Sequence, residues 1–531
     1  MTAFSFILAQ TLPTPKETPG HILLSLLIFT PIIGGLLLLL AHKLHPTLSR
    51  LLGLCFSLTT LLFGAGATII MMEWLGTAPM IKIPPHLNPF KIQEGEAITQ
   101  SFIGFNYHLG LDAISLLLVL LTGIIAPMCL LASWKVKRPQ IFFGLILLTQ
   151  GAALGVFLAL NFFLWVLFWE LSLFPRFVLI KLWGGPGAQR AAYQFVLYTI
   201  GGSAFMLLAF AAIYAATGTV DFARLSAMAN VYGPSILNEK LAVLGGAVPM
   251  LAFLGVLVGL AVKVPMFPFH TWLPATYAEA PVGASMFLTA ILSKMGIFGV
   301  HRILWPNFGE QLKAGAPILI WLSLAGIVLG AYAALRQTDL KRMIAYSSIN
   351  HLSYCLLAVF AVYSATSGTQ ADADSAFAGT LLQMFNHGLS AAALFFCIGV
   401  LEDRTGLRGL NDFGGVRKVA PLFTAFCGIA MFSSLGLPGL NGFVSEFLIF
   451  RGVFGVKPWA AAIACLGLLG TAVFFLNFWQ KVFHGPTAAH SAKVTDLSLR
   501  EVLVLAPVTV LMFVIGLWPQ SLLSLIQSKF F

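Results

Sequence analysis

Four ionisable residues stand where a membrane-spanning chain should have none: Glu170 in NFFLWVLFWELSLFP, Lys263 in VGLAVKVPMFPFH, Lys294 in FLTAILSKMGIFGV and Glu446 in LGLPGLNGFVSEFLIF. Buried alone, each would cost several kcal/mol even on the lenient insertion scales. Lys294 has about 12 residues of its apolar run before it and about 9 after it, roughly 18 and 14 Å at 1.5 Å per residue, too deep for its side chain to reach either surface. A carboxylate near a lysine in such surroundings has two competing charge states, because desolvation favours the neutral amine and the carboxylate favours the ammonium. A change in their spacing then relocates a proton, which is the chemistry of a pump or antiporter. The plainer alternative is a static ion pair that holds helices together.

Histidines supply intermediate stations. His270 follows a proline break after Lys263, His351 lies early in the tenth apolar run and His387 in the eleventh, so that the last two are placed to face one another and relay protons. His301, seven residues beyond Lys294 and next to Arg302 at the end of its run, reads as interfacial. Each of these histidines alone has the competing role of a hydrogen-bonded packing residue. Metal ligation is disfavoured because none has a second ligand at i+3 or i+4. Cys55, Cys129, Cys355, Cys397, Cys427 and Cys465 stand singly in or beside apolar runs, without CxxC spacing, and read as small buried hydrophobes.

The elements that must hold these residues are helices in lipid. Of 531 residues only 9% are charged and 59% are hydrophobic, with mean hydropathy +0.92, which excludes a string of soluble domains. The net charge of +11 does not indicate nucleic-acid binding, because the basic residues are scattered through short connections. Fourteen apolar runs are long enough to cross a bilayer: 21–41, 51–73, 108–134, 140–159, 161–181, 192–216, 242–264, 282–303, 315–335, 343–365, 378–400, 420–450, 457–480 and 501–527. Their continuity disfavours a β-barrel. The first twenty residues lack the order of a cleaved signal peptide, so the first run is expected to be retained. The expected fold is therefore an all-α polytopic membrane protein with both termini on one side. The connections on one face carry 17 Lys and Arg against 10 on the other, which puts the termini outside.

Two of the runs are broken. Pro265 and Pro268 follow Lys263, and Gly436, Pro438, Gly439 and Gly442 precede Glu446, so helices 7 and 12 should be discontinuous near the midplane. Such breaks survive only inside protein or along a wet cavity. They fall five helices apart, and an odd number of crossings per unit makes the repeat inverted. The expected division is 1–139 with helices 1–3, 140–303 with the repeat of helices 4–8, 315–480 with the repeat of helices 9–13, and 481–531 with helix 14.

The segments FWELSLFP, KVPMFPFHTWLPATYAEAPVGASMFLTAILSKMG, DLKRMIAYSSINHLSY, FNHGLSAAALFF and GLPGLNGFVSEFL resemble the antiporter-like membrane subunits of the proton-pumping NADH:quinone oxidoreductase, respiratory complex I, and most of all its chain M. The resemblance runs from about Gly104 to Trp518 and is densest in the middle third. It implies that Glu170, Lys263, Lys294 and Glu446 carry the proton path and that His270, His351 and His387 line its hydrated axis. Protons would move from inside to outside, driven by electron transfer elsewhere. It implies no cofactor or metal in this chain, with FMN, iron-sulfur clusters, NADH and quinone in partner subunits. The expected partners are antiporter-like subunits of the chain L and N type and lipids, in a hetero-oligomer of a bacterial inner membrane with both termini periplasmic.

Two residues depart from that pattern. Arg176 follows the proline after Glu170, where the family usually has an uncharged residue, and Gln194 stands in the sixth helix where relatives commonly have lysine. Arg176 is six residues past Glu170, about 9 Å along the helix and roughly 240° around it. It is suited to supply a fixed charge in place of the missing lysine. A subunit of a multi-subunit cation/proton antiporter is the nearest rival reading, and a non-conducting structural subunit the next. An independent redox enzyme is disfavoured, since no GxGxxG follows a strand, no CxxCH is present, and Gly184-Gly185-Pro186-Gly187 reads as a helix-connecting turn.

Overall fold

The computed structural model describes residues 22–41, 43–74, 107–233, 235–365 and 368–527. Lys16, Lys82, Lys91 and Lys529 of the charge comparison, and the reading of the first twenty residues, lie outside the described residues. Among the described residues twelve helices are long and apolar enough to cross a membrane, and two shorter apolar ones accompany them. In chain order these helices are α1 Leu23–Leu40, α2 Pro46–Trp74, α3 Ala113–Ala132, α4 Pro139–Leu158, α5 Phe162–Trp183, α6 Ala188–Thr217, α7 Val248–Lys263, α8 Val282–Asn307, α9 Gly309–Leu335, α10 Leu340–Tyr363, α11 Gln370–Thr405, α12 Pro421–Ser434, α13 Pro458–Phe483 and α14 Leu499–Leu517. Two further helical segments follow breaks in the chain, Trp272–Glu279 after the shorter α7 and Asn441–Val456 after the shorter α12.

Helix starts follow ordinary capping chemistry. The side chains of Asp112, Asn161 and Asp339 accept amide hydrogens at the starts of α3, α5 and α10, and Thr369 with Asp372 forms a capping box on α11. The middle of the protein is filled by α4, α8, α10 and α11, whose side chains are almost all buried. The flanking helices bury one face and expose the other. Leu197, Leu208, Leu469 and Leu517 are each more than 60% exposed, a belt that only lipid or neighbouring protein can cover.

The breaks occur where proline and glycine demand them. α5 is interrupted at Ser172 because Pro175 has no N–H for the carbonyl of Leu171. α7 ends on Lys263, and the indole of Trp272 donates to the freed carbonyl of Val262 at 2.9 Å. After α12 the chain turns through Gly436 and Gly439, with φ of +79° and +94°, a conformation that side chains resist. α8 contains π-helical turns at Leu288–Leu292 and Val300–Leu304. The hydroxyl of Tyr277 donates to the carbonyl of Leu288 at 3.0 Å, and Lys294 donates to that of Thr289 at 2.6 Å, both within the first π segment.

The connections gather into two polar layers. In one, bridges Leu109↔Ala159 and Asn161↔Asp221 hold loops together beside the buried His108–Asp221 pair (2.6 Å) and the Arg302–Asp112 pair (2.6 Å). The connection between α6 and α7 contributes two short helices here, Phe222–Tyr232 and Ile236–Ala242. In the other layer Arg408 donates to the carbonyl of Ala278 at 2.7 Å and pairs with Glu279 at 2.9 Å, Asp339 at 2.8 Å and Glu402 at 3.6 Å, while Lys341 pairs with Glu402 at 2.5 Å. Burial works against the Arg408 charge, but Asp339, Glu279 and Glu402 outweigh it and hold its proton more firmly than usual. Glu279 also accepts the amide of Gly187 at 2.8 Å, which fastens the Gly184–Gly187 turn to the same knot.

Candidate functional site

The second half of the protein holds a row of four titratable groups. Lys294, fully buried on α8, has its Nζ 2.7 Å from Nδ1 of His387 on α11. The His387 ring centroid is 5.4 Å from that of His351 on α10. His351 Nδ1 is 3.0 Å from Oε1 of Glu446, which Gln383 Nε2 approaches at 3.4 Å. Ser445 donates to Gln383 at 2.5 Å, and Asn386 donates to the carbonyl of Asn441 at 2.7 Å, pinning the start of the post-break helix on α11. Gly436 is part of this construction, because a Cβ there would lie 2.8 Å from Glu446 Oε2.

This line can shuttle a proton. With Lys294 as ammonium, it donates to the lone pair of a neutral His387. With the proton on Nδ1 of His387, the same contact is donated back to the neutral amine. The two states share one short hydrogen bond, so passage needs little rearrangement of heavy atoms. At the far end, the His351–Glu446 pair offers the same choice between a charged and a neutral pair.

The first half has a looser cluster. Lys263 closes α7 with its Nζ 4.4 Å from the centroid of Trp169, and the charges that act on it are those of Arg176 and Glu170. Oε1 of half-buried Glu170 is enclosed without a hydrogen-bond partner. Arg176 is 2% exposed and packs over the ring of Phe287, 5.9 Å from its centroid. Its Nη1 donates to Ser172 at 2.9 Å, and its Nε and Nη2 have no partner. Gln194 is half-exposed and reaches the carbonyl of Thr271 at 3.4 Å. Thus Arg176 lies away from lipid, within the electrostatic field of Lys263, and is not bonded to Gln194. His270 is not drawn into either cluster: it is half-exposed and stacks on Phe267 at 5.3 Å.

Several contributors escape a reading of the sequence. Tyr277 stands between the halves, within reach of the Arg176 charge on one side and Ser293 on the other. Gln383, Asn386 and Ser445 frame Glu446, and only the position of Gln383 and Asn386 one turn and one residue before His387 hints at it. His301, beside the Arg302 of a polar layer, is 3% exposed and covered by neighbouring helices, a cover the sequence does not show. Among the described residues no group of three or more His, Cys, Asp or Glu is placed to hold a metal ion.

Comparison with known proteins places these residues in a family. Residues 159–472 match the profile described as NADH:quinone oxidoreductase/Mrp antiporter, TM. The F(420)H(2) dehydrogenase subunit M of Methanosarcina mazei is 36% identical over 439 residues, 81% of this chain and 84% of that protein. The NADH-quinone oxidoreductase subunit M of Rhodobacter capsulatus is 35% identical over 431 residues, 80% of this chain and 81% of that protein. Among solved structures, a chain of respiratory complex I from Thermus thermophilus superimposes with a TM-score of 0.78 at 27% identity, covering 95% of this chain and 98% of that one.

Proposed function

The chain belongs to the membrane-subunit family shared by NADH:quinone oxidoreductases and Mrp antiporters, and from that premise we propose that its proton path runs through Lys263 and Glu170 to Lys294, His387, His351 and Glu446. It is a subunit M-type, proton-translocating membrane protein that works as part of a larger enzyme complex. The observation that carries the path is the succession from Lys294 to Glu446, with a 2.7 Å contact at one end, a 3.0 Å contact at the other, and two imidazole rings 5.4 Å apart between them.

In this reading protons enter at the layer knotted by Arg408 and leave at the opposite one. The chain makes fourteen crossings with both termini outside, in a bacterial inner membrane. What supports the count is that each polar layer joins connections of one parity: those after α5, α7, α9 and α11 in one, those after α2, α4, α6 and α8 in the other. The two inverted five-helix units span 140–303 and 315–480, flanked by 1–139 and 481–531. The repeat is supported by α6 packing on both parts of the broken seventh helix and α11 on both parts of the broken twelfth. Arg176 supplies the first unit's fixed charge in place of the sixth-helix lysine, and His270 serves at the rim of the axis. Chains of the L and N type adjoin Glu170 and Glu446. The names of the two relatives carry different electron donors, F(420)H(2) and NADH. The donor site, FMN, iron-sulfur clusters and quinone therefore belong to other subunits.

The test is Lys294→Ala in the assembled complex, reconstituted in vesicles, with electron transfer and proton uptake measured separately. Proton uptake should fall at least about tenfold, as for loss of a general acid–base group. Uptake per electron equal to that of the parent complex would leave this chain a scaffold.

A further inference from the structure

His301 is the one histidine on the central helices that the path above does not use, and its surroundings are unusual. Both ring nitrogens are buried and neither has a hydrogen-bond partner in the protein. The ring stacks on Trp305, centroids 5.6 Å apart, and receives Phe377 of α11 edge-on at 5.2 Å. Trp305 in turn meets Tyr363 of α10 at 4.8 Å. A leucine or phenylalanine would fill this aromatic cage without leaving a buried donor and acceptor unsatisfied. An imidazole here makes sense only if something other than protein meets its nitrogens, and the smallest such partner is water carrying a proton.

Its position fits that role. His301 lies seven residues beyond Lys294, two turns or about 10 Å along α8, on nearly the same face. The seam of α8, α10 and α11 that joins Lys294 to His387 and His351 is the same seam that encloses His301. Between the two levels Cys355 of α10 has its Sγ 3.9 Å from the carbonyl of His351 and 4.0 Å from that of Thr380 on α11, the polar groups that lie along the way. Beyond His301 the next residue, Arg302, pairs with Asp112 at 2.6 Å and donates to Ser115 at 3.1 Å, and this pair is partly exposed at 15% and 23%.

We propose that His301 is a proton-carrying station between Lys294 and the polar layer of Asp112 and Arg302, the exit through which the central lysine releases its proton in series with the line to Glu446. The inference rests on the proton path proposed above. The proton passes from the Lys294 ammonium through water to one imidazole nitrogen, the opposite nitrogen releases a proton toward the Asp112 layer and leaves the ring neutral, and tautomer exchange resets the ring for the next proton.

The test uses the assembled complex in vesicles with His301→Phe, which keeps the aromatic packing, His301→Gln, which keeps hydrogen bonding without titrating near neutrality, and Lys294→Ala alongside. Expected in both His301 variants is a fall in proton uptake of about 100-fold, the low end of the range for losing a proton-transfer group. The solvent deuterium isotope effect on uptake should rise, because this step becomes limiting; a purely structural histidine would not move it. Parental uptake in either assembled variant, with Lys294→Ala inactive, overturns the role of His301 and spares the path. Parental uptake in Lys294→Ala overturns the path itself. If the phenylalanine variant does not assemble, the glutamine variant decides, and failure of both to assemble assigns His301 to packing and overturns the proposal.

Discussion

Gly436→Ala isolates geometry from charge at the end of the path. The added methyl would sit 2.8 Å from Glu446 Oε2, and ordinary contact begins near 3.4 Å, so one of the two must retreat by about 0.6 Å. The carboxylate is the softer partner, being the end of a flexible side chain. A retreat of that size moves the carboxylate out of register with its partners and changes the 3.0 Å contact with His351 and the 3.4 Å approach of Gln383 by up to about 0.6 Å, enough to spoil either hydrogen bond. The left-handed φ of +79° adds about 1–2 kcal/mol of strain for any residue with a Cβ. Gly439→Ala is the control: at φ +94° it incurs the same strain, but its Cβ meets nothing closer than Leu517 Cδ2 at 4.0 Å. Proton uptake by reconstituted complex, at matched content of this chain, should fall about tenfold in Gly436→Ala, since a misplacement approaching 1 Å costs up to about 100-fold. Gly439→Ala should show the loss of thermal stability without the loss of pumping. Equal pumping by the two variants would refute the reasoning, because displacement of Glu446 would then not matter.

Arg176→Leu should slow proton uptake by removing the fixed charge beside Lys263, and adding Gln194→Lys should restore part of it, read as initial uptake rates in vesicles. A single variant that pumps normally, or a double variant no better than the single, defeats the compensation. Arg408→Gln should destabilise the chain by about 2 kcal/mol, less than the 3–5 of a fully buried pair because its partners are partly wet. Adding Glu279→Gln should recover about half of that, since the carboxylate left without its cation is then neutral. Thermal unfolding of the purified complex followed at this chain reads both, and additive losses in the double variant would show that Arg408 and Glu279 do not act as a unit.

The spans were legible in the sequence because lipid leaves the backbone no alternative to long apolar helices. The breaks were legible because Pro265, Pro268, Pro438 and the neighbouring glycines act locally. The Arg408 knot was not: its members come from four connections, and sequence offers only their charge, which serves equally well to set sidedness. The cover over His301 was not legible for a similar reason. Its apolar run ends at residue 303, but α8 continues to Asn307, and Phe377 and Tyr363 from two other helices close over this part of it. Depth along a helix is written in sequence, whereas cover from neighbours is not.

The opposite signs of Lys263 and Glu446 follow from which side of a break each occupies. A broken helix exposes unpaired carbonyls on the end before the break and unpaired amides on the end after it. Lys263 is the last residue of α7, at the carbonyl end, where a cation is favoured. Glu446 is in the second turn of Asn441–Val456, just past the first turn in which the amide end favours an anion most strongly, so its share of the same bias is smaller. Each contribution is small, about 0.3–1 kcal/mol at ordinary exposure and more in partly buried sites. It acts, however, on groups whose two protonation states must lie close in energy if protons are to pass. A bias of that size adjusts the balance without locking it, which a direct carboxylate–ammonium contact would do. Lys263 rests on the face of Trp169, and Glu446 meets a histidine, so neither charge is held by a permanent opposite one.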